Sequence, residues 1–154
     1  MLLVHENQMC DSFYFLEQGL LRTFLNVHEK QVNTEFFFEG EFAGAFTSFL
    51  LKKKTSLNIE ALEDSYLIVI TRELIEEMYV MNPQWLAVSK YIFEKEFIKK
   101  CVRESSFLQD DAKQRYLKFT GSYPKAEQRI HLKHIASYLG IQPETLSRIR
   151  SGKL

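Results

Sequence analysis

Cysteine is scarce in this 154-residue chain: Cys10 and Cys101 are its two thiols. Two are too few for a zinc or iron–sulfur site, and they stand too far apart in sequence to suggest a redox pair, so both are expected to be reduced and packed. Long hydrophobic runs are also missing. No stretch approaches a membrane-spanning helix, and the first residues lack the basic start, apolar stretch and cleavage site of a secretory signal. A soluble cytoplasmic protein is expected, with no membrane partner. The six glycines are not gathered into a phosphate loop, and no Ser, His, Asp constellation stands out. His131 and His134 are three apart and would share a helix face, but no third ligand or carboxylate joins them. Neither an enzyme, a metal site nor a resident cofactor is expected.

Net charge is absent too, with 20 basic against 20 acidic residues. That balance conceals an asymmetry. From Ala112 to Leu154 nine Lys and Arg face two acidic residues, Glu127 and Glu144, a net of +7, whereas residues 1–111 carry a net of −7. Such a split is expected of a nucleic-acid-reading module joined to a domain of another kind. With 45% hydrophobic residues the chain can bury one large or two small cores.

The first seventy residues alternate short apolar stretches, rich in aromatic and β-branched side chains, with regular turn signals. This pattern predicts an antiparallel β-sandwich or roll. Strands are expected at Leu2–His5, Ser12–Leu16, Leu20–Val27, Val32–Phe38, Leu57–Leu62 and Tyr66–Thr71, with turns at Glu17–Gly19 and His28–Gln31. Phe36, Phe37 and Phe38 are too continuous for a one-sided sheet, so a strand there should be covered on both faces.

Thr71 is placed to cap a short helix, and Asn82 with Pro83 to start a longer one reaching about Ser105. The long helix would carry two apolar stripes. Leu86, Phe93, Phe97 and Cys101 make one; Trp85, Val88, Ile92, Ile98 and Val102 make the other. Two faces need two partners, and one natural pair is the chain's own β-domain and the same helix of a second copy, to which the second stripe is assigned. Burial wholly within its own domain is the alternative. Asp110 and Asp111 open a further helix, which Gly121 should stop.

Residues Leu132 to Ser151 follow the spacing of a helix-turn-helix. Counting from Leu132, apolar residues are wanted at positions four and eight, a small one at five and Gly at nine, and Ile135, Leu139, Ala136 and Gly140 fill them. Ile141, Leu146 and Ile149 supply the apolar positions of the turn and second helix. Ala136 allows close approach, Gly140 admits the left-handed conformation that ends a helix, and Pro143 suits a first helical position. Gln142, Glu144, Thr145, Ser147, Arg148 and Arg150 are left facing outward. Such a face suits phosphate and base-edge contacts in a major groove. An ordinary helical hairpin with a solvated face is the bland alternative.

Together these segments resemble the Crp/Fnr family of bacterial transcription regulators, most closely the branch common in Bacteroidetes. The likeness rests on the run from Ile135 to Arg150, on Asp11–Phe15 with Gly19–Arg22, and on Gln114–Tyr116 before Tyr123–Pro124. It implies an α+β architecture: an N-terminal antiparallel β-roll of the cyclic-nucleotide-binding jelly-roll type, a long dimerisation helix, and a C-terminal helical, winged helix-turn-helix domain. The expected boundaries are 1–81, 82–108 and 109–154. The family binds palindromic promoter DNA as a homodimer, with RNA polymerase as a further partner. It implies that Glu144 and Arg148 read base edges and that Thr145 touches phosphate. Family members often carry a base reader where Pro143 stands, so the preferred site does not carry over.

The resemblance also implies an effector site, with Gly44, Ala45, Phe46, Thr55 and Ser56 as its candidates. Cyclic-nucleotide-binding members carry Gly-Glu in a short phosphate cassette and, later, Arg-Ser. Here Ala45 stands in place of the ribose-binding Glu, and Thr55–Ser56 in place of Arg-Ser. Losing the charged partner of the anion and the ribose contact would cost on the order of several kcal/mol, which erases micromolar affinity. Cyclic AMP control is not expected; a different ligand in the roll stays open. Lys52, Lys53 and Lys54 are either substitute point charges or a solvated loop. A four-cysteine iron–sulfur sensor does not fit. Family members have a helix and a strand before the position of Leu3, so the roll is expected to be incomplete at its N-terminus, with an open sheet edge. The rival to a DNA-binding regulator is a ligand-sensing or protein-interaction module whose helix-turn-helix no longer binds DNA.

Overall fold

Residues 1–153 are described in the computed structural model, where the alternating segments before Thr71 form seven antiparallel strands. These are β1 Leu2–Val4, β2 Ser12–Gln18, β3 Leu21–Val27, β4 Lys30–Phe37, β5 Phe42–Ala43, β6 Asn58–Ala61 and β7 Tyr66–Thr71. They pair in two sheets of order β1-β6-β3-β4 and β5-β2-β7. Val4, Leu21, Phe37 and Ile59 of the first sheet meet Leu16 and Ala43 of the second in one buried cluster. Each fully buried Val, Leu, Ile or Phe side chain of this kind contributes about 1.5–3 kcal/mol to holding the roll closed. The expected two-sided burial is present: Phe36 and Phe37, adjacent on β4 and on opposite faces, are both buried.

The β3–β4 turn is tighter than expected. Lys30 and Gln31 pair with Val27 and Asn26, leaving His28 and Glu29 alone at the tip with φ of +45° and +64°. Two successive left-handed residues match the right-handed twist of a hairpin, which is why Asn-Gly is the preferred pair there. Glu29→Gly should therefore raise stability by about 0.5–1 kcal/mol, read as a higher thermal midpoint; an unchanged or lower midpoint would show that the turn is unstrained.

Two short elements carry no sequence signal. Besides β5, helix α1 spans Phe46–Leu51, six residues whose N-cap, Ala45, makes no side-chain hydrogen bond. Tertiary contacts hold it instead. Phe46 and Phe49 pack on the Phe13 ring at 4.9 and 4.2 Å, and the Ser48 hydroxyl accepts from the Cys10 N–H at 3.0 Å.

Helix α2, Arg72–Met81, begins as expected, with Thr71 Oγ1 accepting from the Leu74 N–H. Helix α3, Gln84–Gln109, is longer than expected, because nothing in its sequence stops it before Asp110. The chain divides into two compact units inside this helix, Met1–Lys95 and the residues from Glu96 onward. In the first unit, the Tyr79 hydroxyl of α2 donates to Ser89 Oγ of α3 at 2.7 Å.

The second unit is helical throughout its described residues: the end of α3, then α4 Ala112–Ser122, α5 Ala126–Arg129, α6 Leu132–Leu139 and α7 Pro143–Arg150. Asp111 and Gln114 form a reciprocal capping box at the start of α4. Gly121 does not stop α4; it lies in the last turn, and the cap is Tyr123. The strands of a wing have no counterpart among the described residues, since Ser151–Lys153 form only a turn after α7.

Candidate nucleic-acid interface and effector site

The α6–α7 pair is built as its spacing requires. Ile135, Ala136, Leu139, Leu146 and Ile149 are all buried between and beneath the two helices. Gly140 has φ +67° and ends α6 in the left-handed conformation, and the Ile141 N–H returns to the Ala136 carbonyl at 3.0 Å. A Cβ at this position would lie 2.7 Å from the Phe107 ring, so Gly is demanded by space as well as by conformation. Pro143 opens α7 at a position that needs no N–H donor.

Two arginines that sequence reasoning missed finish α6. Its last carbonyls lack partners within the helix. Arg103 Nη2 donates to the Tyr138 carbonyl at 2.9 Å, and Arg115 Nε to the Leu139 carbonyl at 3.0 Å. Both come from far earlier in the chain, so no local pattern announces them.

All six proposed readers keep accessible surface. Gln142, Glu144, Ser147 and Arg148 are exposed and Thr145 is half-buried. Arg150 is exposed as well, with its Nε 2.8 Å from Glu127 Oε1. The Tyr116 hydroxyl donates to the same carboxylate at 2.9 Å, and burial, then this bond, push that hydroxyl above its ordinary range. Arg150 thus ties α7 to α5, a contact no local pattern signals. His131 is the N-cap residue of α6 but makes no side-chain cap hydrogen bond, and its ring lies 6.5 Å from that of His134.

In the first unit an apolar cavity of about 100 Å³ opens between the roll and the adjoining helices. Trp85, Val88 and Ile92 of α3 line it opposite Phe13 and Ile70 of the roll and Met78 of α2. Three residues of the stripe assigned to a second chain thus border this space, while Trp85 and Val88 also stay 40% and 42% exposed. Ile98 and Val102 are each 60% exposed, and Phe97 is 70% exposed.

Residues 2–82, more than half of the chain, match the family described as the cyclic nucleotide-binding domain. The chain belongs to that family. Solved structures extend the likeness along the whole chain. The chain is similar to FixK2 of Bradyrhizobium japonicum at 16% identity and TM-score 0.83, covering 99% of this chain and 79% of that one. It is similar to the c-di-GMP-responsive global regulator CLP of Xanthomonas campestris at 14% identity and TM-score 0.76, covering 99% and 81%. A third likeness is to a putative transcriptional regulator of the Crp/Fnr family from Eubacterium rectale, at 18% identity and TM-score 0.71, covering 97% and 72%. At such identities the shared property is the fold: a cyclic nucleotide-binding roll, a long helix and a helical C-terminal unit. A search of curated proteins gave no match.

In this cyclic nucleotide-binding domain the effector candidates lie at the start of α1 and just before β6. A Cβ on Gly44 would lie 2.3 Å from the Phe13 ring, Ala45 is buried at the start of α1, and Phe46 packs edge-on against Phe93 at 5.6 Å. Thr55 is buried, with Oγ1 accepting from the Leu57 N–H at 2.9 Å, whereas Ser56 is exposed. None of the five lines the apolar cavity. Lys52, Lys53 and Lys54 are all exposed.

Proposed function

We propose that this chain is a sequence-specific DNA-binding transcription regulator of the Crp/Fnr type, binding a palindromic promoter site as a homodimer. The observation that carries this reading is the exposed face of α7. Gln142, Glu144, Ser147 and Arg148 stand on a helix whose opposite side is locked onto α6, within a segment of net charge +7. Carboxylate, hydroxyl and guanidinium groups in that arrangement suit base edges and phosphates. Along α3, Phe97, Ile98 and Val102 expose most of their apolar surface. A second α3 would cover it and set two reading helices about 34 Å apart, one turn of duplex.

Selection of bound sequences from random duplexes by the purified protein tests the reading. A palindrome with half-sites 10–10.5 base pairs apart is expected. Recovery of no consensus, or binding that fails to weaken steeply as salt is raised, would overturn it.

Regulation without cyclic AMP belongs to the same reading. The buried Ala45 and Thr55 offer neither a carboxylate for a ribose nor a guanidinium for a cyclic phosphate. Titration calorimetry with cyclic AMP should show no micromolar binding, and a micromolar Kd would disprove it.

A further inference from the structure

The second unit holds a cavity of about 210 Å³ with four cations around it, and all four are engaged within the chain. Arg103 and Arg115 donate to the end of α6, Lys118 pairs with Asp110, and Lys99 also has a partner. Lys52, Lys53 and Lys54 of the first unit differ. They follow α1, all three are exposed, and among the described residues no carboxylate pairs with them. Apolar side chains flank them: Leu50 and Leu51 are each 58% exposed, and Met9, which bridges to Lys54, is exposed as well. Apolar residues exposed together, unlike scattered ones, mark a contact surface.

A face of opposite charge stands on α2. Glu73, Glu76, Glu77 and Val80 follow the spacing i, i+3, i+4, i+7, which sets them on the side of the helix opposite Ile75, Met78 and Tyr79 of the apolar cavity. All four are exposed, and Val80 and the following Met81 are 86% and 83% exposed. Among the described residues no cation pairs with these three carboxylates. Like charges three and four apart on a helix repel, so α2 carries a cost that a cationic partner relieves. The two patches adjoin. Arg72, the first residue of α2, donates to the carbonyl of Phe49, the neighbour of Leu50, and its guanidinium lies 4.0 Å from the Phe49 centroid.

From this complementarity we propose that the first unit docks on a second copy of the chain, the Leu50–Lys54 tip of each copy lying on α2 of the other. Three ammonium groups meet three carboxylates, and the exposed leucines meet Val80 and Met81. Because the two patches adjoin on every copy, contact about a twofold forms twice and closes. It uses neither α3 nor α7, so it stands apart from the dimer and the DNA reading proposed above. The contact engages about half of the roughly 20–30 residues that each side of a standard interface uses. It is therefore weak and salt-sensitive, with association expected between about 10 µM and 1 mM.

Sedimentation of the full chain over that concentration range, without DNA and at about 0.05 M and about 0.5 M salt, tests the contact. An association step at low salt that weakens by at least roughly tenfold at high salt is expected; an apolar α3 contact persists at high salt, which tells the two apart. Lys53→Glu with Lys54→Glu, and Glu76→Lys with Glu77→Lys, should each weaken the step by at least about tenfold. All four changes in one chain leave its net charge as it was and restore opposite signs across the contact, so the step should return. That return is a gain which misfolding does not produce. Lys and Glu are similar helix formers, and retained circular dichroism confirms each fold. No salt-sensitive step in the wild-type chain, undiminished association in either folded double variant, or no return in the folded quadruple variant would overturn the proposal. So would a wild-type chain that forms no such step and instead needs Lys53 and Lys54 to hold an anionic duplex or vesicle, which gives the tip another occupant.

Discussion

Replacing Arg148 with Ala should lower affinity for the selected duplex by about fivefold to a hundredfold, the value of one base-edge contact of about 1–3 kcal/mol. Arg148 is exposed in the last turn of α7, where its side chain extends beyond the buried Leu146 and Ile149. The loss should concentrate at one position of each half-site and relax preference there. Arg150→Ala supplies the contrast. Its guanidinium is already engaged by Glu127 at 2.8 Å, so its loss should fall less on sequence preference than on the anchoring of α7 to α5. Competition binding against duplexes varied at single positions distinguishes the two. If Arg148→Ala keeps the wild-type preference while Arg150→Ala loses it, the proposed face of α7 is wrongly oriented.

The largest effect on stability is expected from Arg22→Ala. Arg22 is 3% exposed on β3, yet its guanidinium is fully engaged: Nη2 lies 2.5 Å from Glu60, Nη1 donates to Asn33 at 2.9 Å, Nη2 to Gln31 at 2.6 Å, and the group sits 4.3 Å above the Phe24 ring. Burying a cation is tolerable only when every charge and donor is matched. Removal leaves the fully buried Asn33 without this donor and opens a cavity. Glu60 is partly exposed and water would solvate it, which keeps the loss toward the lower end of the range for broken buried pairs, about 3 kcal/mol. Against a typical total of about 5–15 kcal/mol, that lowers the urea midpoint by about 1–3 M. The paired change Arg22→Met with Glu60→Leu should recover part of it, since an apolar pair needs no matching. A loss below about 1 kcal/mol in Arg22→Ala would mean that the network is ornamental to the roll.

That network illustrates what the sequence concealed. Arg22 sits in an alternating strand pattern in which a charged residue reads as solvent-facing, and its partners Gln31, Asn33 and Glu60 come from neighbouring strands. Only cross-strand register brings them together. The strands themselves were legible, because period-two alternation and turn residues act over a few positions. So were the caps of α2 and α4, where Thr71 and Asp111 bond to residues three positions on. Helix α1 was not legible, because six residues without a side-chain cap are held by Phe13 and Cys10 from another part of the chain.

The same division runs through the candidate nucleic-acid interface. By itself the sequence determined the helix-turn-helix, the identity of its outward residues and the charge that surrounds it. Periodicity, a left-handed Gly140 and a first-turn Pro143 are rules of local backbone geometry, and they need no knowledge of the remaining chain. Tertiary structure decided how those residues are employed. It paired Arg150 with Glu127, gave Arg103 and Arg115 the carbonyl end of α6, set Trp85, Val88 and Ile92 along an apolar cavity beside the roll, and gathered four cations around another. Each of these depends on contacts between residues distant in sequence, which folding brings together and which leave no periodic trace along the chain.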